Sequence, residues 1–437
     1  MPNSEEQKEI PTSKIQRAMK FATTGAKVGG NYIKHYTKKA LGSKESGEEL
    51  DAKNAAVVFE ALGELKGSAL KAAQMMSMDK HILPKAYVEQ FALAQYSAPP
   101  LSLPLVVKTF QQYFHKSPFE IFDDFSKEAV HAASMGQVHM AKLNNKKLAV
   151  KIQYPGVAES VESDLNMVKP IALKIMNAGE QEVEDHFNEI KERLIEETDY
   201  QLELQRSVLL SEKCEHLPNL SFPVYYKEYC CERILTMDWI EGMPLKAFIN
   251  SNPPQEIRNK VGQTIWDFYQ YQVRILNIFH ADPHPGNFLI SNDGHVSVID
   301  FGCVKELTKE FYQSYSRLLI HEWVYDDNKL MQVLKDLALI HENDSVQTQQ
   351  YLFRFAAKTI RHITQPFFSE TFDFGNDDFI QNIINRDELF ELKKELLKSR
   401  HARGPKDALY LNRTYFGIYN ILNELKAVIK TNNFSSS

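Results

Sequence analysis

The 437-residue sequence predicts an α+β protein in which a β-rich part and a helical part follow a helical extension. Three observations carry this. Apolar residues recur near helical spacing over 50–96, over 255–279 and through much of 306–437. A texture of strand, small-residue loop, strand, turn, strand occupies 128–153. A second hairpin pattern, Phe288–Ile290 and Val296–Ile299 about Asn292-Asp293-Gly294, interrupts the helical half.

The composition, 43% hydrophobic and 25% charged, is that of a globular chain and excludes global disorder, collagen-like repeats and a disulfide scaffold. No apolar run reaches the ~18 residues of a membrane span. The nearest, Ala408 to Ile429, carries Arg413, Glu424 and Lys426. Glu5, Glu6 and Glu9 open the chain without an apolar core, so no secretory signal is expected. Cys214, Cys230, Cys231 and Cys303 fit neither a zinc site nor a staple framework. The adjacent Cys230 and Cys231 could form a redox pair; the reading taken is buried thiols in a reducing compartment.

Charge is unevenly placed. Net charge is −6, yet residues 14–44 hold seven lysines and Arg17 and no acid. Met19, Phe21, Val28, Tyr32 and Ile33 interleave with those lysines, and Gly29-Gly30 interrupts them. The arm suits an anionic membrane surface as a basic amphipathic helix, or is a solvated tail. Residues 43–47 read as a linker.

Elements follow in order. Ala55, Val58, Phe59, Leu62, Leu65, Ala69, Leu70 and Ala73 give a helical pattern; Pro84 opens another helix and a further one covers 104–115. Glu128–His131 is extended, Val138–Leu143 and Leu148–Gln153 are strands, and Asn144-Asn145 is their turn. Residues 157–212 are helical with a break at Pro170, and Glu182–Glu212 is one long helix. Arg233–Trp239 is a strand and 255–279 a helix. Beyond 306 the chain is helical with loops near 342–347 and 374–377.

The strongest chemical signal is His280-Ala281-Asp282-Pro283-His284-Pro285-Gly286-Asn287, followed by the hairpin and Asp300-Phe301-Gly302. Two prolines and a glycine stiffen the first loop. The hairpin returns Asp300 toward Asn287 and Asp282, gathering hard oxygen donors of the kind Mg²⁺ takes. An Asp, an Asn five residues on and a later Asp-Phe-Gly match the catalytic set of the kinase fold. Leu148-Ala149-Val150-Lys151 matches the strand whose lysine meets nucleotide phosphates. The ion-pair partner of Lys151 belongs on the following long helix, where residue chemistry alone does not choose among the glutamates. No glycine-rich loop precedes this strand. Ala132-Ala133-Ser134-Met135-Gly136 stands there, a stiffer loop that still offers backbone N–H groups to phosphate. His280 and His284 do not make a zinc site; His280 is read as bracing the loop.

These stretches, with Gln137-Val138-His139, Glu197-Thr198-Asp199-Tyr200-Gln201-Leu202-Glu203 and Met237–Gly242, resemble the UbiB family of atypical kinase-like, aarF-domain proteins over roughly residues 50–330. The resemblance implies a protein-kinase-like two-lobed fold with an N-terminal helical extension: an arm over 1–49, an extension over 50–125, an N-lobe over 126–240 and a helical C-lobe over 241–437. It implies ATP and Mg²⁺ as cofactors. Lys151 would contact the phosphates and pair with Glu203. Met237, Asp238, Trp239 and Ile240 would hold adenine through backbone groups. Asp282 would be the catalytic-loop aspartate, and Asn287 and Asp300 the metal ligands. Glu197 and Asp199 match an ExD motif. Lys71 and Gln74 match a KxGQ motif that packs over the site, although Ala73 stands where the family has glycine.

The implied activity is an ATPase or phosphotransferase supporting isoprenoid quinone biosynthesis. Expected partners are a lipid or quinone precursor, quinone-biosynthesis enzymes and an anionic membrane; no nucleic acid is expected. The expected location is cytoplasmic, at most peripheral to a membrane. A conventional protein or small-molecule kinase and a nucleotide-binding scaffold with little turnover are the alternatives.

Overall fold

The computed structural model describes residues 19, 22–24, 26–27, 30–31, 34, 47–65, 67–78, 83–92, 101–132, 135–175, 180–383, 388, 391–392, 395–396 and 403–432. Most of the basic arm, and Ala133 and Ser134 of the small-residue loop, lie outside them. The chain divides into two compact units. The first runs to Gln205 and adds Val224–Trp239; the second comprises Arg206–Pro223 and everything from Ile240.

The first unit packs helices around an antiparallel sheet. Helices α1 (Gly47–Leu65), α2 (Ser68–Met78), α3 (Lys85–Ala92) and α4 (Leu103–Phe114) precede it. Their apolar stripes, among them Val58, Leu62, Leu70, Tyr87 and Phe110, are buried in one cluster with Val150 and Ile152 of the sheet. The sheet order is β1 (Asp124–Phe125), β3 (Gly136–Leu143), β4 (Lys146–Gln153), β6 (Ile234–Asp238), with β2 (His131–Ala132) also on β3. Asn144 and Asn145 both take positive φ, 48° and 65°, the turn that matches strand twist. In this register Lys151 stands between Val138 and Leu235.

Two helix expectations change. Helix α5 (Val157–Ile175) runs through Pro170 without a break. Val161, Leu165, Val168 and Ala172 are buried on both sides of it, so packing outweighs the missing N–H bond. The long helix expected over 182–212 is two, α6 (Glu180–Glu197) and α7 (Tyr200–Cys214). Asp199 separates them: its carboxylate accepts the Leu202 amide (3.0 Å) and caps α7.

The second unit is mainly helical with three small sheets. In the largest, β5 (Leu220–Ser221) runs parallel to β10 (Val296–Val298), which pairs antiparallel with β9 (Phe288–Ile290), and β9 with β7 (Met243–Pro244). The helix expected over 255–279 ends early. Helix α8 (Gln255–Tyr271) passes into one π-helical turn, Gln272–Leu276, and then strand β8 (Ile278–His280), paired with β11 (Val304–Glu306). The reason is local. Buried Gln272 gives its side-chain N–H to the Phe268 carbonyl and takes the His280 amide (2.8 Å), so the chain turns back toward its own helix. Later come α9 (Lys309–Tyr315), α10 (Asp327–Asp336), α11 (Val346–Ile363), β12 (Thr371–Asp373), α12 (Lys406–Glu424) and β13 (Val428–Lys430). The β12–β13 ladder was not expected from sequence; both strands have only three residues.

Candidate functional site

In the first unit Lys151 on β4 pairs with Glu203 on α7. Lys151 Nζ lies 2.7 Å and 3.0 Å from the two Glu203 carboxylate oxygens. The Glu203 side chain is 1% exposed and that of Lys151 20%. The ammonium also sits 5.1 Å from the centre of the Tyr200 ring, a cation–π arrangement. Sequence chemistry left the choice among glutamates open; the first turn of α7, set by the Asp199 cap, brings Glu203 to the lysine.

Gly136 explains why the small-residue loop ends in glycine. A Cβ there would stand 2.7 Å from the Ile152 carbonyl oxygen and 2.9 Å from the Tyr200 hydroxyl. Only a hydrogen lets β3, β4 and α7 close together at the lysine. Met135 next to it is buried, and its carbonyl accepts the Tyr154 amide (3.0 Å). Ala132 is half-buried at the end of β2.

Lys71 on α2 meets Glu197 at the end of α6, 2.5 Å away, both about a quarter exposed. Gln74 is buried one turn on, and Ala73 is fully buried. Asp199 stays at the α7 cap rather than at either lysine. The Thr198 carbonyl between these acids accepts Gln153 Nε2 (3.0 Å), tying the turn to β4.

Sequence reasoning missed Gln137 and His139 as a buried polar network. Gln137 takes the Leu101 amide (2.6 Å) and touches the His139 ring (2.8 Å), whose other nitrogen faces the Ser126 carbonyl (2.8 Å). Burial lowers the His139 pKa, so the ring stays neutral. The available signal was two polar residues at inward-facing strand positions.

At the strand expected to bind adenine, side chains and amides are largely committed. Asp238 accepts from the Tyr226 hydroxyl (2.8 Å) and the Val224 amide (3.2 Å). The amides of Asp238 and Trp239 donate to the carbonyls of Val224 (2.9 Å) and Lys147 (3.1 Å). Met237 is buried in β6. Ile240 opens the second unit.

The second unit assembles the acidic loop. Asn287 Nδ2 donates to the Asp282 carbonyl (3.0 Å) and reaches its carboxylate (3.3 Å). The Asn287 backbone amide donates to the His284 carbonyl (2.9 Å), and the Asn287 carbonyl takes the Ile299 amide (3.0 Å). Asp300 therefore follows directly where the hairpin rejoins Asn287. Asp300 Oδ1 accepts the Gly302 amide (2.8 Å).

His280 is wholly buried between the Tyr269 hydroxyl (3.1 Å to Nδ1) and the edge of Phe301. Burial lowers its pKa, against the pull of Asp282 and Asp300. A neutral His280 braces the loop. His284 Nδ1 accepts the Gly286 amide (3.0 Å) and is spent on the turn.

These donors suit Mg²⁺. Asn287 Oδ1 and the Asp300 carboxylate are the hard oxygen donors this loop offers. Among the described residues no cluster of three or more His, Cys, Asp or Glu side chains could hold a metal.

One supporting residue comes from far along the chain. A Cβ built on Gly417, inside α12, would overlap the Pro283 ring. The loop residue beside Asp282 thus rests on a bare helix backbone. A glycine within an otherwise helical stretch was the readable sign.

The cysteines are all free thiols. Burial pushes Cys214 up to about 12 and Cys230 up to about 11, so neither is a ready thiolate.

With this geometry the comparison with known proteins has a definite answer. The profile of the ABC1 atypical kinase-like domain matches residues 93–334. The chain belongs to this family. It is 25% identical to "Probable serine/threonine-protein kinase abkA" of Dictyostelium discoideum, over 97% of this chain and 78% of that protein. It is also 25% identical to "Atypical kinase COQ8, mitochondrial" of Saccharomyces cerevisiae, over 94% and 81%. Among solved structures it resembles the erythromycin complex of Rv3197 from Mycobacterium tuberculosis, with TM-score 0.58 and 26% identity over 89% of this chain and 96% of that one. The α+β kinase-like fold and the aarF/UbiB kinship expected from sequence both hold. No helix among the described residues is long and apolar enough to cross a membrane.

Proposed function

We propose that this protein is an Mg-ATP-dependent atypical kinase-like ATPase that supports isoprenoid quinone biosynthesis at a membrane surface. The observation that carries the reading is the buried, two-oxygen Lys151–Glu203 contact. A lysine so fixed holds its positive charge at one place, as recognition of a nucleotide phosphate requires. The amide groups of Asp238 and Trp239 are committed, so in this reading adenine is held by the backbone groups of Met237, Asp238, Trp239 and Ile240 that the sheet leaves over.

Asp282, held through Asn287, has a carboxylate oxygen left to orient a water or hydroxyl nucleophile and take its proton. Asn287 and Asp300 hold the metal, which neutralises phosphate charge when bound. Ala132, Ala133, Ser134, Met135 and Gly136 cover the phosphates. Lys71, Gln74, Glu197 and Asp199 regulate access. The kinship with COQ8 supports the quinone assignment, and the basic arm supports an anionic membrane as the place of action.

The test is steady-state phosphate release from Mg-ATP by the full chain, with and without anionic liposomes. Turnover should rise with lipid and vanish in Asp300→Asn. Mg-ATP affinity should fall at least tenfold in Lys151→Ala. Unchanged Mg-ATP affinity in both variants would overturn the reading. Binding without turnover in either condition would leave a nucleotide-dependent scaffold.

A further inference from the structure

The second unit contains a cavity of about 400 Å³ that none of the candidate nucleotide-site residues lines. It lies among α9, the turn after it, the segment that follows α10, α11 and α12. Leu352, Ala356, Thr359 and Ile363 form one stripe of α11 along its wall, at spacings of four, three and four. Leu318 and Tyr415 belong to other walls. Most of the lining falls after residue 334, beyond the family match. The volume lies within the ~300–1,000 Å³ of small-molecule pockets and far above the voids of a packed core.

The lining chemistry narrows the ligand. Among the described residues that line it, Arg403 is the one charged residue. Its guanidinium is engaged at both ends: Nη1 on Asp344 Oδ2 (2.9 Å) and the Leu339 carbonyl (3.0 Å), Nη2 on Asp344 Oδ1 (2.5 Å). The two side chains are 9% and 3% exposed. This charge is already compensated, so an anion gains no partner there and loses its hydration. Burial raises the hydroxyls of Tyr315 and Tyr415, so both stay neutral. Thr359 and Tyr415 bring hydroxyls to the lining, and Asn412 brings an amide. Asn412 lines the cavity and accepts the Tyr315 hydroxyl at Oδ1 (3.2 Å), which leaves its Nδ2 to donate.

We infer that this cavity is a binding site for an uncharged, largely hydrocarbon small molecule with an oxygen that accepts a hydrogen bond from Asn412. A pocket of this size takes roughly 15–20 non-hydrogen atoms. The proposal is independent of the nucleotide reading, because binding here needs neither ATP nor metal.

The test uses the full chain and the neutral fluorophore N-phenyl-1-naphthylamine. Saturable binding at one probe per chain is expected. Decan-1-ol should displace the probe at least tenfold more effectively than decanoate at pH 7.5. Ala356→Phe fills the cavity and should weaken probe binding at least tenfold while Mg-ATP affinity stays unchanged. Circular dichroism checks the fold of that variant; should it not fold, Ala408→Met, from another wall, decides in its place. Non-saturable probe binding, or wild-type affinity in the folded variant, overturns the site. Equal displacement by decanoate overturns the neutral ligand.

Discussion

Lys151 and Lys71 each pair with a glutamate near the α6–α7 turn, in different surroundings. Lys151 meets both oxygens of a carboxylate that is 1% exposed, and an aromatic ring covers its other side. Lys71 meets one oxygen of a carboxylate that keeps about a quarter of its surface in water. A buried charge cannot lose its partner without an uncompensated desolvation cost, so the first pair is a fixed feature of the fold. A pair whose carboxylate keeps water contact is worth less and is partly screened by salt, so the second contributes less to the fold.

The largest expected effect tests the fixed pair. Glu203→Ala should destabilise the chain by about 3 kcal/mol in urea unfolding, the lower end for a broken buried pair because Lys151 retains some water contact. A loss below about 1 kcal/mol would place both lysines in the exposed class.

A buried pair in the second unit extends the comparison. The Arg403 guanidinium beside Asp344 lowers its carboxyl from 3.8 to about 2. A depressed folded pKa contributes stability that is present above the unfolded value and lost as pH falls through the folded one. The stability difference between the wild type and Asp344→Asn should hold steady from pH 7 to about 5. It should then shrink between about pH 4 and 2. A difference independent of pH would show that the carboxylate charge contributes nothing there.

Gly136→Ala sharpens the comparison from the backbone side. Its Cβ meets a carbonyl oxygen that cannot rotate away, so about 2 kcal/mol is expected, the middle of the overpacking range. Mg-ATP affinity should fall with it, since the displaced strand pairs across from the lysine strand. Gly417→Ala should cost a similar or smaller amount and lower turnover more than Mg-ATP affinity, because it presses on Pro283 beside Asp282.

The smallest effect is Lys71→Ala. Stability should change by no more than about 1 kcal/mol, less in 0.5 M salt. Turnover is the informative readout and should shift while the melting temperature hardly moves. A loss above about 2 kcal/mol would make Lys71–Glu197 a structural pair like the first.

Local chemistry in the sequence was enough for several elements. Asn144-Asn145 marked its own hairpin, because two residues that tolerate positive φ between β runs leave few alternatives. The spacing of Asp282, Asn287 and Asp300 placed the acidic loop, because a hairpin that short must return to its start. Kinship with the aarF/UbiB family was legible in the same motifs.

Other features depended on contacts between distant segments. Pro170 predicts a break by itself, and only the apolar packing on both sides of it keeps the helix running. Choosing Glu203 among many glutamates required the Asp199 cap, which sets the phase of α7. The bond between Gln272 and His280 that ends α8 early, and the contact of Gly417 with Pro283, join residues whose partners no local pattern names. The cavity behind α11 is likewise a property of packed helices. Periodicity states which face of a helix is apolar; whether that face meets a neighbour or leaves room for a ligand is settled only when all the walls are in place.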